Sequence, residues 1–396
     1  MDVTTGNGRP PYISLSALFL KFLRFGLLAF GGPVAQIAML RQALVEEEHW
    51  IDRARFNRLL AILQVLPGPE AHELCVHFGI IARGRIGGLL AGLGFMLPGL
   101  LLMLLAGWIY VTWIAGHMVW NGPLLGIQIA VLAIILRAVF RIGEHILADR
   151  LTWAIALGSA LVTLANTPFW LPLLAGGAIY ALSHRPVAAV AAAALTLGAA
   201  AWFRFAPDAG TVLAITREPS TIAALFIAGL KGGLLTFGGA YTAIPYVRAD
   251  TVGRGWLSDA TFLDGIALAG VLPAPLVIFA TFVGYVAGGL TGALAITAGM
   301  FLPAFAFSLI FYERLEVLIE HPALHRVLEG VAATVVGIIG ATFLQLGSAA
   351  WPRLSSPLLA VILFVIALAA AWRLKGAWVT PAILASGAVA GTALPL

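Results

Sequence analysis

The sequence predicts an all-α polytopic membrane protein with two inverted-topology repeats of about six helical segments, joined by one extra transmembrane helix. Composition is the first reason: the chain of 396 residues is 61% hydrophobic and only 10% charged, whereas soluble domains usually carry about 25% charged residues. The second reason is a pair of motifs that occur in both halves of the chain. The third is that helix-breaking residues lie inside apolar runs, which predicts broken or re-entrant helices.

The repeat is clearest at two short motifs. Phe30-Gly31-Gly32 recurs 207 positions later as Phe237-Gly238-Gly239. Leu66-Pro67-Gly68-Pro69 recurs 206 positions later as Leu272-Pro273-Ala274-Pro275. Because the spacing drifts by only one residue between motifs, it indicates an old duplication and not chance composition.

Both motifs interrupt apolar helices. In hydrocarbon, a broken helix leaves backbone N–H and C=O groups that only protein or a water-lined cavity can satisfy. We therefore expect the breaks to point inward. Paired interruptions at matching positions of two halves are typical of the substrate site of a transporter.

The repeats and their segments have the following predicted bounds. We expect a first repeat over 14–183, a linking transmembrane helix over 187–205 and a second repeat over 219–395. The segments are A (14–45), B (54–82), C (86–113), D (123–146), E (151–164) and F (169–182), then A′ (221–247), B′ (260–287), C′ (290–312), D′ (327–346), E′ (358–371) and F′ (378–394). E and F are shorter than the roughly 20 residues of a perpendicular crossing, which favours a helical hairpin.

The predicted topology follows from the number of segments. Each repeat has an even number, so the unpaired linking helix inverts the second repeat. The positive-inside rule then predicts a cytoplasmic N-terminus, because most loops with Lys and Arg fall on that side. The A–B loop disagrees, since it carries Arg53, Arg55 and Arg58. Either A and B cross the membrane, or both are re-entrant and the loop returns to the cytoplasm; the sequence leaves both alternatives open.

Composition and spacing argue against several other classes of function. The net charge is +5, but the basic residues are spread singly over short loops, so no nucleic-acid partner is expected. The single Cys75 permits no internal disulfide. His72 and His77 lack the i, i+4 spacing of a helical zinc site. We expect no metal and no cofactor.

Several runs together carry a family resemblance. They are Phe30-Gly31-Gly32-Pro33-Val34-Ala35, Pro67-Gly68-Pro69-Glu70-Ala71, Leu97-Pro98-Gly99, Phe237-Gly238-Gly239-Ala240-Tyr241 and the run 273–285. With them the chain resembles the chromate ion transporter (CHR) family in its two-domain form, over almost its whole length. Two positions depart from the family pattern: Gln36 stands where His is frequent, and Ala274 stands where the first half has Gly68.

The resemblance implies a multi-pass carrier of the inner (plasma) membrane that exports chromate and confers chromate resistance, with sulfate as a related substrate. One cysteine and no clustered histidines give little material for catalysis, so we expect no enzymatic activity. The function favoured is a secondary transporter that works by alternating access, driven by the membrane potential or a proton gradient. An anion channel with the same site is the alternative, and a membrane-embedded enzyme is a weaker one.

A site for chromate, a doubly charged oxyanion, needs donors from several directions and positive charge. Helices that restart after the Gly-Gly pairs would aim their N-terminal ends at one point. Arg24 and Lys231 lie six residues before each Phe-Gly-Gly, inside apolar stretches where a cation by default marks a functional site; the alternative is a side chain that reaches the interface. The predicted substrate-binding residues are Arg24, Phe30, Gly31, Gly32, Pro33, Lys231, Phe237, Gly238, Gly239, Ala240, Tyr241 and Thr242.

Three titratable residues follow Pro69 at a spacing that places them on one helix face, namely Glu70, Glu73 and His77. One hypothesis is that Glu70 or Glu73 exchanges protons as the anion moves the other way; a local partner for a nearby arginine is the alternative. The coupling or gating candidates are Pro67, Gly68, Pro69, Glu70, Glu73, His77, Pro273 and Pro275.

The expected partners are a small inorganic oxyanion and the lipid bilayer. Gly88-x-x-x-Gly92 and Gly288-x-x-x-Gly292 are spaced as in close helix–helix contacts. They fit either a homodimer interface or packing within one chain.

Overall fold

The computed structural model describes residues 12–63, 67–165, 167–168, 170–205, 219–237, 239–311, 322–376 and 378–394. Within these ranges the chain forms helices and turns, without a strand. The first half contains α1 (Leu15–Leu27), α2 (Gly32–Arg41), α3 (Arg53–Leu63), α4 (Glu70–Ile109), α5 (Asn121–Ile146), α6 (Arg150–Leu164) and α7 (Trp170–Ala181), and α8 (Pro186–Phe205) follows it. The second half contains α9 (Ile222–Leu234), α10 (Ala243–Thr251), α11 (Asp259–Val271), α12 (Phe279–Phe311), α13 (Pro322–Ala350), α14 (Pro357–Arg373) and α15 (Val379–Ala393).

Among the described residues, five helical segments are long and apolar enough to cross a membrane. They are Glu70–Ile114, Met118–Ile146, Pro186–Phe203, Leu276–Ile310 and Arg326–Arg353. Their surfaces expose large apolar side chains such as Leu101, Trp113 and Leu197, as expected of helices that face lipid and not water. The chain is a multi-pass, all-α membrane protein, as the sequence predicts.

α4 and α12 each reverse direction at equivalent positions. Arg83 and Gly84 have φ/ψ angles of −145°/29° and 63°/−162°, and Gly288 and Gly289 have −149°/23° and 62°/−156°. The second residue of each pair needs a positive φ, which glycine adopts without a steric penalty. The same local backbone therefore turns the chain in both halves.

Each reversal produces two antiparallel arms. Gly79 packs against Gly87 across the first turn, and Gly284 packs against Gly292 across the second. We call 70–83 and 84–109 the first and second arms of α4, and 279–288 and 289–311 those of α12. The predicted boundaries between B and C and between B′ and C′ fall at these turns.

Segments A and B form hairpins in the first half. Lys21 of α1 pairs with Glu48, which lies beyond α2, so the chain folds back on itself. The Phe78 ring in the first arm of α4 lies 6.4 Å from that of Phe56 in α3 and 6.2 Å from that of Trp50. Both hairpins thus begin and end on one side of the molecule. These contacts favour the re-entrant alternative and bring the arginines of the A–B loop to the side where α1 starts.

The start of α1 marks what we call the N-terminal side. Arg83, at the turn of α4, donates to the carbonyl of Ile13 at 3.0 Å. The second arm of α4 leaves from there for the opposite side. α5 has 26 residues, or about 39 Å at 1.5 Å per residue, and returns to the N-terminal side.

The two halves interlock through their small residues. α5 packs on α15 where Gly126 meets Gly387, and α13 packs on α7 where Gly330 meets Gly176. α5 and α13, which correspond to segments D and D′, therefore each contact the last helix of the other half. Close backbone approach on glycine is typical of helix contacts in membranes.

The second arms of α4 and α12 run in opposite directions where they touch. Gly88 packs against Leu309, and Gly92 packs against Phe305. On the second half, Gly292 packs against Leu225 of α9. The Gly-x-x-x-Gly pairs thus take part in packing within one chain.

Candidate functional site

The glycine motifs form loops that precede short helices. Gly31 and Gly32 have φ of 84° and 78°, and Gly239 has φ of 126°, all of which favour glycine. α2 begins at Gly32, and a 3₁₀ turn over Ala240–Thr242 leads into α10. The restart after the first Gly-Gly is as predicted, and Gly238 lies outside the described residues.

Each glycine loop is joined to the proline motif of the other half. The Gly68 N–H donates to the Thr236 carbonyl at 2.8 Å. The Gln36 side-chain amide donates to the carbonyls of Ala29 and Ala274, both at 2.8 Å. The prolines that flank these bonds are buried in the protein: Pro67, Pro69, Pro273 and Pro275.

A cavity of about 480 Å³ lies where the two halves meet. Its walls come from both glycine loops, from the first turn of α4, from the last turns of α5 and from the start of α13. The N-terminal ends of α2 and α4 face this space, and such ends favour anions. Seven of the predicted substrate-binding residues line it: Gly31, Gly32, Pro33, Phe237, Gly239, Ala240 and Tyr241.

Three basic residues that the sequence reasoning did not select also line the cavity. Arg137, Arg141 and His145 are spaced by four residues and share one face of α5. Arg137 is half-buried, whereas Arg141 and His145 are exposed, so this basic stripe leads inward from the N-terminal side. Among the described residues neither guanidinium has an ion-pair partner. The two arginines bring two positive charges to a cavity that is also lined by the carboxyl groups of Glu70 and Glu329.

A signal for this stripe is present in the sequence. Arg137 follows an apolar run within a predicted span, and an arginine in that position by default marks a functional site. A pattern of cations common to both halves does not reveal the stripe, because α13, the counterpart of α5 in the second half, has no Lys or Arg beyond Arg326. The basic stripe belongs to the first half alone.

The structure places Arg24 and Lys231 outside the cavity. Arg24 is exposed on α1. Lys231 Nζ lies 3.1 Å from Asp250 Oδ2, and the Lys231 side chain is 38% exposed. Their positions agree better with the interfacial alternative than with a central pair of cations.

Two further candidates contact protein and do not line the cavity. The Phe30 ring stacks on that of Trp378 with centroids 5.1 Å apart. The Thr242 hydroxyl donates to the carbonyl of Gly239 at 2.7 Å, which is the local back-bonding common for threonine in helical turns. Tyr241 thus remains the candidate with a hydroxyl on the cavity wall.

The acidic face of α4 lies behind the same wall. Glu70 lines the cavity, while Glu73 is 0% exposed and neither carboxylate oxygen has a hydrogen-bond partner among the described residues. Glu73 packs on Gly68, where an added Cβ would lie 2.5 Å from Oε1. An isolated ionised carboxylate is costly to bury, so this position is suited to binding and releasing a proton. His77 is buried on the same helix.

The neighbouring histidine and cysteine contact apolar surroundings. The His72 ring lies 5.0 Å from that of Phe301 and 4.7 Å from that of Phe305, and Cys75 is a buried free thiol. In the part of the chain that the structure describes, no group of three or more His, Cys, Asp and Glu side chains is placed to hold a metal ion.

Comparison with known proteins gives consistent matches. A family model described as "Chromate transporter" matches residues 16–182 and 223–392. The chromate transport protein of Pseudomonas aeruginosa is 56% identical over 380 residues, which cover 94% of this chain and 91% of that protein. The chromate transport protein of Cupriavidus metallidurans is 30% identical over 358 residues, 89% of this chain and 87% of that protein. A probable chromate transport protein of Synechococcus elongatus is 29% identical over 390 residues, 96% of each chain. No solved structure matches the chain significantly.

The two matched stretches account for most of the chain, and each contains one glycine motif and one proline motif. The relative from Pseudomonas aeruginosa extends the similarity across the linking segment between them. The chain therefore belongs to the chromate transporter family.

Proposed function

We propose that this protein exports chromate across the inner membrane as a secondary transporter, by alternating access at the cavity between its two halves. The observation that carries the proposal is that both glycine loops line one space together with Arg137 and Arg141, neither of which has an ion-pair partner in the part of the chain that the structure describes. The names of the relatives, chromate transport proteins, support the substrate.

The chemistry of the cavity suits a tetrahedral dianion. Arginine donates several N–H groups in a fixed fork and keeps its charge at all relevant pH values. At an effective dielectric of about 20, one unit-charge pair 4 Å apart gains roughly 4 kcal/mol. Arg137, which is half-buried, contributes most, because exposed Arg141 is better screened. Sulfate has the same shape and charge and is the expected competitor.

Inverted repeats would provide the alternating access. The matched reversals of α4 and α12 and the antiparallel contact of their second arms support two copies of one unit that face opposite sides. The cavity lies near Arg141 and His145, at the end of α5 on the N-terminal side. The positive-inside rule assigns that side to the cytoplasm, so this form would be ready to take up chromate from inside the cell.

The inner end of the cavity favours a carrier over a channel. Ile134, Tyr241 and Thr380 line both the cavity and a separate hollow of only about 10 Å³. That volume is near the minimum for one water molecule and is far too small for chromate. The anion therefore needs a conformational change to leave on the opposite side.

Two energy sources fit the site. Export of a dianion from a negative cytoplasm gains roughly 4.6 kcal/mol per 100 mV for its two charges. Protons that bind at Glu70 or Glu73, beside the cavity, would add a contribution from the proton gradient. We propose that the membrane potential drives export and that these carboxylates couple it to protons.

The test is uptake of labelled chromate into inverted vesicles that contain the protein, with sulfate and molybdate as competitors. We expect uptake that rises with an interior-positive potential, saturates with chromate and is inhibited most by sulfate. Vesicles without the protein are the control. Equal uptake in both preparations, or linear uptake at channel-like rates, would overturn the proposal.

A further inference from the structure

The residues that line the cavity continue along α5 from its last turns toward its middle, where a second, smaller hollow lies. Beyond the basic stripe, Ile134 and Val131 continue the same face of α5, and Val131 lines the small hollow. The next residue on this face is Gln128, one turn further on. Across the hollow, Ile266 of α11 forms the facing wall.

A chain of hydrogen bonds is centred on Gln128, which is buried. Its Nε2 donates to Asp264 Oδ1 at 2.7 Å and to the carbonyl of Ala260 at 3.3 Å. Its Oε1 accepts from Arg353 Nη1 at 2.8 Å. The Tyr110 hydroxyl donates to Asp264 Oδ2 at 2.8 Å. One glutamine thus joins a buried carboxylate to a guanidinium group.

The chain runs from the interior to the surface and crosses between the halves. Asp264 is 3% exposed and Gln128 is 1% exposed, whereas Arg353 is exposed. Tyr110 and Gln128 belong to the first half, and Asp264 and Arg353 to the second. The network connects four elements: the C-terminal end of α4, the helices α5 and α11, and the turn after α13. It lies on the side opposite the cavity mouth.

We propose that this chain of hydrogen bonds is the closed gate on the release side of the transport route. A satisfied polar network in apolar surroundings holds one arrangement and has a discrete broken state, which a gate requires. Its opening would separate α5 from α11 and join the small hollow to the outside. The inference rests on the proposed alternating access and identifies the residues that must part.

Thiol labelling from the release side tests the gate. The background carries Cys75→Ala, and Val131→Cys places a reporter in the hollow, where Val131 is 2% exposed. A membrane-impermeant maleimide is added outside spheroplasts. We expect slow labelling with the network intact and at least fivefold faster labelling after Gln128→Leu, because leucine keeps the size and removes the bonds to Asp264 and Arg353.

Asp264→Asn should also speed the labelling, and Asp149→Asn, at the start of α6, should leave it unchanged. If Gln128→Leu and Asp264→Asn are labelled no faster than the protein with the intact network, the gate is overturned. The labelling rate does not depend on which anion the protein carries, so a failed substrate assignment leaves this test valid.

A cross-link provides a second test that does not rely on accessibility. Gln128→Cys and Asp264→Cys are combined in the Cys75→Ala background and joined with a bismaleimide that a reductant cleaves. We expect anion transport in vesicles to stop on cross-linking and to return on cleavage. Transport that continues with the link in place would show that these residues need not separate.

Discussion

The backbone N–H of Gly68 donates to the carbonyl of Thr236 at 2.8 Å, but the equivalent pair in the other half is joined differently. At the offsets of 206 and 207 residues between the paired motifs, Gly68 matches Ala274 and Ala29 matches Thr236. The carbonyls of Ala29 and Ala274 both accept from the Gln36 side chain at 2.8 Å. A side-chain amide thus replaces the direct backbone bond on one side of the cavity.

We expect Gln36→Leu to destabilise this junction, because leucine leaves two buried carbonyls without a donor. Loss of a buried hydrogen-bond partner costs about 1–3 kcal/mol for each unsatisfied group. Thermal unfolding in detergent should show a lower midpoint, and transport should fall. Gln42→Leu is the matched control, since Gln42 is exposed and pairs with Glu47 at the surface. Equal midpoints for the two variants would contradict the role of Gln36.

Arg137→Ala should abolish most chromate transport. Arg137 is half-buried on the cavity wall and has no ion-pair partner within the described ranges. Its guanidinium is expected to contribute about 1.4–2.8 kcal/mol to anion binding, or 10- to 100-fold in apparent affinity. Arg141→Ala should cause a smaller loss because Arg141 is exposed. The measurement is the concentration of chromate at half-maximal uptake in inverted vesicles.

Arg24→Ala distinguishes a binding site at Arg137 from the site first predicted at the pair Arg24 and Lys231. Arg24 is exposed and does not line the cavity, so its removal should change the half-saturating chromate concentration less than twofold. Loss of transport in Arg24→Ala with normal uptake in Arg137→Ala would return the site to the pair Arg24 and Lys231.

The sequence predicts the glycine and proline breaks because their mechanism is local. Gly31, Gly32 and Gly68 need backbone conformations that glycine adopts easily. The Phe-Gly-Gly run recurs in the second half, where Ala274 stands in place of Gly68. Broken helices are unfavourable to expose to lipid, so both kinds of break lie inside the protein, and the glycine loops line the cavity.

The sequence does not predict which side chains pair when they are distant along the chain. Lys231 pairs with Asp250, 19 residues away, and Gln128 with Asp264, 136 residues away. Such contacts depend on how the helices pack, so apolar periodicity carries no information about them. A cation in an apolar run could therefore be recognised as unusual, but its place in the cavity or at the interface required the fold.

Glu73→Gln should remove the response of transport to an imposed pH gradient, because glutamine cannot bind or release a proton. The amide has nearly the size of the carboxylic acid and fits the space beside Gly68. Uptake driven by an imposed potential should persist. Glu70→Gln is tested in parallel, and Glu46→Gln, at the surface, is the control. An unchanged pH response in both buried-site variants would refute proton coupling at α4.

Gly126→Ala should loosen the contact between α5 and α15. The added Cβ would lie 2.0 Å from the Gly387 carbonyl oxygen and 2.9 Å from the Gly391 nitrogen, and backbone atoms cannot move without separating the helices. Overpacking of this kind costs about 1–3 kcal/mol. Gly158→Ala is the control, because nothing lies within 4 Å of the added group and alanine gains roughly 0.8–1.0 kcal/mol of helix propensity. Thermal midpoints that shift in the same direction would contradict the packing argument.

Asp149 provides a test of pH dependence at the N-terminus of α6. Its carboxylate accepts from the Thr152 N–H at 2.7 Å, and hydrogen bonding to this N–H holds the pKa of Asp149 below its ordinary value of 3.8. A lowered pKa in the folded state means that the ionised cap stabilises the protein above pH 3.8. That contribution is lost as the pH falls through the folded-state pKa.

Asp149→Ala should therefore lower the free energy of unfolding by about 1 kcal/mol at pH 7, the usual cost of losing a helix cap. Asp149→Asn keeps an acceptor for Thr152 and should stay close to wild type at that pH. The three proteins are compared by chemical unfolding in detergent between about pH 7 and pH 3. The gap between wild type and Asp149→Ala should narrow below the ordinary pKa of 3.8, because protonation weakens the cap, while the gap between Asp149→Asn and Asp149→Ala should persist. A wild-type advantage that stays constant to the lowest pH would show that the ionised cap does not contribute.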